Sequence, residues 1–204
     1  VYNFPPYETF HMIDLLYAVF LGIVGAVIGL AFIHAFQWMR RKSTPYKKYP
    51  VTMAVIGGLV LGIVGVLFPL AMFTGEDQVQ TLINDAAAIG ILTLLVLAIV
   101  KILLTSWCIG TGWAGGYIFP TLFMGGAVAM AISMIFPFIP VAVCLACVMG
   151  GVFVSVFKSP IAVALIVALL FSTTVVPAAT IAIVTSLMIT YTVPLLPRAV
   201  ASKP

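Results

Sequence analysis

The stretch GTGWAGGYIFPTLF, residues 110–123, interrupts a strongly apolar chain near its middle. Four of its first seven residues are glycines, and Pro120 follows four positions after Gly116. Glycine at this density loses much backbone entropy on folding and breaks regular structure. The stretch therefore predicts a break between two apolar helices, and not one continuous span.

The residues around this break have the composition of a membrane protein. Of the 204 residues, 64% are hydrophobic and 7% are charged, with a mean hydropathy of +1.29. Soluble domains carry about 25% charged residues, and several apolar runs here approach the roughly 20 residues that cross a bilayer. The sequence predicts an all-α, polytopic membrane protein, with residues 1–204 in a single transmembrane domain.

The apolar segments are unequal, and prolines punctuate the second half of the chain. A segment of about eleven residues is too short to span a bilayer, since a span needs roughly 20. Short, interrupted helices occur at membrane depth where freed backbone is buried in protein or lines a cavity, and in transporters they mark the substrate site. We expect tilted and broken helices. The predicted segments are 12–42, 51–72, 86–107, 117–136, 141–157, 161–171 and 175–193.

Charges are few and unevenly placed. A basic linker without acids lies at 40–49, and an acidic linker follows the next apolar segment. The positive-inside rule places the basic linker in the cytoplasm and the acidic one on the opposite side. Flanking membrane spans make topology a better explanation of the basic run than nucleic-acid binding. We expect a multi-pass protein of a bacterial plasma membrane.

Small residues predict close helix contacts. Gly25 and Gly29, and likewise Gly58 and Gly62, have the spacing of the G-x-x-x-G pattern that lets membrane helices approach closely. We interpret both pairs as packing signals.

Several polar residues are interpreted as structural. Cys144 and Cys147 lie inside an apolar segment without further ligands, so we expect buried thiols and neither a zinc nor a redox site. His34 is expected to be a neutral histidine at the membrane interface. Asp14, with Glu8, is expected to be solvated. No cofactor is expected.

The glycine stretch also has the features of an anion site. The first N–H groups of a helix starting near Tyr117 have no intrahelical partner, and they lie at the positive end of the helix dipole. Gly115 and Gly116 would let an anion approach the backbone, and Pro120 is tolerated in a first helical turn. A simple glycine-rich turn between two spans is the alternative.

The stretch resembles the G-x-F-x-P region of the CLC chloride channels and chloride/proton antiporters. Lys101 stands eleven residues before Gly112, where that family has a basic residue. MGGVFVSVFKSPIAVALIVALL, residues 149–170, resembles the family's M-G-A-x-x-A-x-x-R-A-P-L segment and its continuation. The resemblance covers nearly the whole chain, as the C-terminal half of the CLC membrane domain.

This resemblance implies one of two inverted-topology halves enclosing an anion pathway, with chloride as the expected substrate. It implies an anion-binding set that Lys101 could support electrostatically. It also implies a homodimer through helices near 161–193 and an N-terminal half that carries the gating residues. The family's phenylalanine corresponds to Ile118 here, and channel versus proton-coupled exchanger stays open. The implied anion-binding residues are Gly115, Gly116, Tyr117, Ile118, Phe119 and Pro120.

Two other classes of function compete with anion permeation. An intramembrane protease needs paired aspartates or a serine with a basic partner at membrane depth. Asp14 and Asp85 lie at segment ends, and no serine has such a partner in a glycine elbow, so no enzyme is expected. A transporter half that is inactive without its N-terminal partner is the stronger alternative, because its pathway-lining helix ends would otherwise face lipid.

Overall fold

The computed structural model describes residues 4, 5, 7, 9–46, 48–72, 76–113 and 115–193. Nine α-helices lie within these residues, and no strand is found among them. Five apolar helical segments are long enough to cross a membrane. The helices are α1 Ile13–Ser43, α2 Pro50–Leu67, α3 Glu76–Asn84, α4 Ala86–Ile89, α5 Ile91–Gly110, α6 Ile118–Ile135, α7 Val141–Phe157, α8 Pro160–Leu170 and α9 Val176–Thr190.

The predicted segments agree with these helices, with two corrections. The second segment ends at Leu67, because Pro69 starts a 3-10 turn there, and the prediction had extended it to 72. The third is split at Gly90, whose φ of +80° favours glycine and separates α4 from α5. Helix α3 lies outside the predicted segments, and Asn84 is its last residue.

The core lies around α7, which is buried along almost its whole length. Helices α1, α6 and α9 pack on α7, and α5 packs on α1 and α6. Cys144 and Cys147 are both fully buried in α7, which confirms their assignment as core thiols. Since α7 is surrounded by other helices, it meets protein where a simple transmembrane span would meet lipid.

Close helix crossings explain the first glycine pair. A Cβ built on Gly25 would lie 2.8 Å from the Cα of Gly151, and one on Gly29 would lie 2.3 Å from the Cβ of Ser155. Contacts this short show that α1 and α7 touch through their backbones. The prediction for this pair is confirmed.

Within the described residues, the second glycine pair does not bring a second helix against α2. A Cβ on Gly62 would meet nothing within 4 Å, whereas one on Gly58 would meet the Trp113 ring of the glycine stretch. Most of α2 is exposed, with only Gly57 and Gly65 buried, and its main neighbours are α5 and the turn at Pro69–Ala71. The G-x-x-x-G spacing reports only that a close contact is sterically possible, not that a partner is present.

The expectation that Asp14 is solvated is also wrong. Its carboxylate is 1% exposed and accepts hydrogen bonds from the Tyr7 hydroxyl at 2.7 Å and from the His11 backbone N–H at 2.9 Å. Asp14 lies in the first turn of α1, where a negative charge is favoured by the helix dipole. Glu8, the other acid of this prediction, lies outside the described residues.

The segment before α1 docks on the loop before α9. The rings of Phe4 and Phe171 stack with centroids 4.0 Å apart, and the hydroxyls of Ser172 and Thr174 donate to the carbonyl of Tyr7. This contact joins distant parts of the chain and closes one end of the bundle.

Candidate functional site

The glycine stretch ends where α6 begins, as predicted. Tyr117 is the N-cap residue and Ile118 is the first residue of α6, with Pro120 in its first turn. No side chain among the described residues caps this end of the helix. The first N–H groups of a helix lack intrahelical partners, and Pro120 has none to lose. The backbone N–H groups of Ile118 and Phe119 therefore stand at an uncapped helix end.

The backbone before this helix end is open. Gly115 and Gly116 are exposed, and a Cβ built on Gly116 would meet no atom within 4 Å. At Gly115 the nearest atom would be the Cγ1 of Ile109, at 3.9 Å. Neither glycine is required by packing within the described residues. Their small size instead leaves the backbone accessible to another molecule.

A cavity of about 280 Å³ lies against this open backbone. It is bounded by α2, α5, the glycine stretch and the start of α6, so predicted site residues from two parts of the sequence share it. The lining residues include Gly115, Gly116, Pro120, Lys101 and Trp113.

Lys101 projects from the middle of α5 and is only 1% exposed. Its Nζ donates to the carbonyls of Ala71 at 2.9 Å and Met72 at 3.2 Å, and lies 5.0 Å from the centre of the Phe123 ring. Its burial keeps the ammonium from the membrane surface, and its two acceptor carbonyls lie at the end of the 3-10 turn Pro69–Ala71.

Trp113 was not predicted as part of the site, yet it fastens the glycine stretch to α2. Its indole N–H donates to the carbonyl of Ala54 at 3.2 Å. A Cβ on Gly58 would lie 3.1 Å from its ring, and one on Gly57 would lie 2.6 Å from the Thr111 hydroxyl. The adjacent glycines of α2 therefore make room for the loop. The sequence feature that could have indicated this role is a lone tryptophan among the glycines of the stretch.

Two further contacts hold the start of α6 in place. The buried Thr121 hydroxyl lies 2.8 Å from the Tyr117 carbonyl and 2.7 Å from the Ile118 carbonyl. The Tyr117 ring packs edge-to-face on Phe36 of α1, with centroids 5.8 Å apart. Because the first turn is anchored from inside, its N–H groups keep a fixed direction.

A second cavity, of about 360 Å³, lies where α1 ends and α2 begins. It reaches the glycine stretch at Gly110, Thr111 and Gly112, and shares Ile109 with the first cavity. Arg40 is the charged residue in its lining. Tyr117 also lines it, whereas Ile118 and Phe119 line neither cavity.

The remaining polar candidates lie away from these cavities. His34 is exposed on α1, and its Nδ1 lies 2.8 Å from the Leu30 carbonyl of its own helix, consistent with a surface histidine. Across the described part of the chain, no group of histidine, cysteine or acidic residues is arranged to hold a metal ion.

These features define a polytopic, all-helical membrane domain with broken helices. The chain belongs to the voltage gated chloride channel family, whose model matches residues 1–191. The fold is that of a CLC-type fluoride/proton antiporter of known structure, with a TM-score of 0.81, 20% identity, and coverage of 96% of this chain and 49% of that one. The resemblance to the CLC family is thereby confirmed.

Curated relatives carry a transport name. Proteins named as ion-transport protein YfeO from Escherichia coli (strain SMS-3-5 / SECEC) and from Escherichia fergusonii are each 26% identical over 147 residues, covering 72% of this chain. This chain covers 35% of the length of each of these relatives.

Proposed function

We propose that this chain forms part of an anion transporter and that the start of α6 holds the ion. The observation that carries this proposal is the uncapped end of α6, preceded by the open backbone of Gly115 and Gly116. The proposed ligands are the backbone N–H groups of Tyr117, Ile118 and Phe119, with Pro120 ordering the turn.

Helix geometry explains why such a site suits transport. The N-terminus of a helix carries about half a positive charge, and its N–H groups direct hydrogen bonds outward. A transported ion must be bound well enough to enter and weakly enough to leave. Partial charges on backbone amides meet both demands, while the buried Lys101 raises the positive potential of the adjoining cavity.

Chloride is the proposed ion. Membership of the voltage gated chloride channel family and the ion-transport name of the curated relatives support anion transport. The structural neighbour is a fluoride/proton antiporter, so fluoride is the second ion to test. We propose transport and not catalysis, and we leave channel and exchanger as alternatives.

We further propose that the chain acts as the C-terminal half of a CLC subunit and needs an N-terminal half to complete the pathway. Its coverage of only 49% of the antiporter chain supports this reading. The extensive exposed surface of α2 is also consistent with a missing neighbour. The alternative to an active transporter is that this chain is a split or incomplete transporter half, which is inactive alone.

The proposed homodimer contact uses helices within 161–193. On α8, Ile161, Leu165 and Leu169 recur every four residues and are all strongly exposed. This spacing places them on one face of the helix. A continuous apolar face on α8, whose main neighbours in the described residues are α7 and α9, is suited to a second copy of the subunit.

Halide flux from liposomes tests the transport proposal. We would compare this chain alone, the chain co-expressed with an N-terminal CLC half, and the same pair carrying Gly116→Trp. We expect flux from the wild-type pair and its loss in the variant. Selective flux from the chain alone would refute the need for a partner, and no flux from the wild-type pair would refute transport.

A further inference from the structure

The 360 Å³ cavity at the end of α1 has a composition that the transport site does not explain. Its volume falls within the range of about 300–1,000 Å³ that pockets for small organic ligands occupy. A single water needs only about 10–15 Å³ by the same kind of measure. The space therefore suits an organic group better than one inorganic ion.

The cavity walls are largely apolar and carry one cation. Phe36, Met53 and Ile109 supply apolar surface from three different helices, and the guanidinium-bearing Arg40 comes from the last turns of α1. Three hydroxyl-bearing residues also line the cavity: Ser43, Thr111 and Tyr117. Ser43 donates to the Met39 carbonyl, and Thr111 lies within hydrogen-bond distance of the Trp107 and Cys108 carbonyls. Arg40 and Tyr117 are therefore the lining side chains that can donate to a ligand.

Further positive charge lies close to Arg40 in the sequence. Arg41 and Lys42 follow Arg40 on α1, and Lys48 lies over the Tyr49 ring, 5.0 Å from its centre, immediately before α2. The sequence has no acidic residue between Asp14 and Glu76. This excess of positive charge favours an anion, and a guanidinium matches phosphate oxygens through two parallel hydrogen bonds.

We propose that this cavity binds an anionic phospholipid, with its phosphate on Arg40 and an acyl chain against the apolar wall formed by Phe36, Met53 and Ile109. Charge and apolar surface occur together, which is the pattern that an amphiphile requires and a halide does not. Basic pockets between membrane helices bind anionic headgroups in this way. This cavity shares one residue, Tyr117, with the proposed ion site, but phosphate binding at Arg40 requires no transport activity.

Native mass spectrometry of the full-length protein tests the assignment. The protein would be equilibrated in detergent with equal amounts of phosphatidylglycerol and phosphatidylcholine. We expect preferential retention of phosphatidylglycerol, and a drop of about tenfold in that preference for Arg40→Gln, since charge-assisted hydrogen bonds are the stronger class. Arg41→Gln is the matched control, because it removes the same charge one residue outside the cavity lining.

A second variant tests whether lipid retention depends on the cavity itself or on the general positive charge of the surface. Met53→Trp keeps every charge and fills the cavity, so phosphatidylglycerol retention should also fall, while circular dichroism confirms that the variants are folded. Equal retention of both lipids by the wild type would overturn the proposal. Equal losses for Arg40→Gln and Arg41→Gln would assign the effect to surface charge. Displacement of the lipid by millimolar inorganic phosphate would show a free-phosphate site and overturn the lipid assignment.

Discussion

The ammonium of Lys101 lies 2.9 Å from the carbonyl oxygen of Ala71, thirty residues earlier in the chain. This contact ties the turn after α2 to the middle of α5, directly beside the cavity that adjoins the glycine stretch. One buried cation thus holds a wall of the candidate site in place, and we propose that it also supplies positive potential there.

Replacement of Lys101 should separate these two roles. Lys101→Met leaves two buried carbonyls without their donor, at about 1–3 kcal/mol for each unsatisfied group, so the melting temperature should fall. Lys101→Gln can still donate and should fall less. Both variants lack the positive charge of the Lys101 ammonium. If that charge lies about 10 Å from a bound anion, an effective dielectric of about 20 makes its contribution to binding roughly 1.7 kcal/mol.

Halide affinity measured by calorimetry should therefore fall more than tenfold in both Lys101 variants. If Lys101→Gln bound halide as tightly as the wild type, its role would be structural only.

Gly116 should accept a side chain without loss of stability. A Cβ there meets no atom within 4 Å, so Gly116→Val should keep the wild-type melting temperature while its bulk blocks approach to the N–H groups of α6. We expect halide affinity to fall by at least tenfold, about 1.4 kcal/mol. Unchanged affinity in the folded variant would place the ion elsewhere.

Replacement by alanine should have opposite effects on stability at Gly25 of α1 and at Gly62 of α2. Gly25→Ala forces a methyl group to within 2.8 Å of the Gly151 Cα, and overpacking of this kind costs about 1–3 kcal/mol. Gly62→Ala meets nothing and should be neutral or slightly stabilising, because alanine is the better helix former. Thermal unfolding in detergent measures both, and equal effects would contradict the α1–α7 crossing.

Trp113 should control the order of the glycine stretch. Trp113→Phe keeps an aromatic ring against α2 but removes the donor to the Ala54 carbonyl, a hydrogen bond worth about 0.5–1.5 kcal/mol. Hydrogen exchange at 110–117 should accelerate, and halide affinity should fall by a few-fold. Trp107→Phe on α5 is the control, since the Trp107 indole N–H has no hydrogen-bond partner in the described residues. Equal acceleration in the two variants would argue against the anchor.

The Tyr7 hydroxyl should lose its proton at a higher pH than an ordinary tyrosine. Burial first, and then the hydrogen bond and negative charge of Asp14, raise the pKa of Tyr7 to about 12 from an ordinary value of 10.0. The folded state favours the neutral phenol, so this contribution is complete below pH 10 and is lost as the pH rises towards 12. Difference absorbance between wild type and Tyr7→Phe should show the late titration, and an ordinary midpoint near pH 10 would refute the Asp14 contact.

The sequence predicted the helices best where proline or glycine interrupts an apolar run. The predicted segment 141–157 coincides with α7, because Pro140 begins it and the left-handed Lys158 ends it. The break at Gly90 was missed, because a single glycine inside an apolar run is compatible with an unbroken helix until its φ is known. The start of α6 was predicted because four glycines precede it.

The partners of buried polar groups could not be predicted. The position of Asp14 at a segment end predicts a solvated carboxylate, yet Tyr7 and His11 fold back over it. Trp113 was overlooked because its contact with Ala54 joins residues 59 positions apart. Such contacts depend on how helices are arranged, which local patterns do not encode.

The sequence by itself determined that this chain is an all-helical membrane domain with a glycine-rich break before α6, because hydropathy and backbone freedom are local properties. The tertiary structure decided which glycines bring helices together and which are left open, since both kinds have the same spacing. It also decided that Lys101 lies beside that break. A buried ammonium requires carbonyl partners, and only the folding of α2 back onto α5 brings those of Ala71 and Met72 within reach.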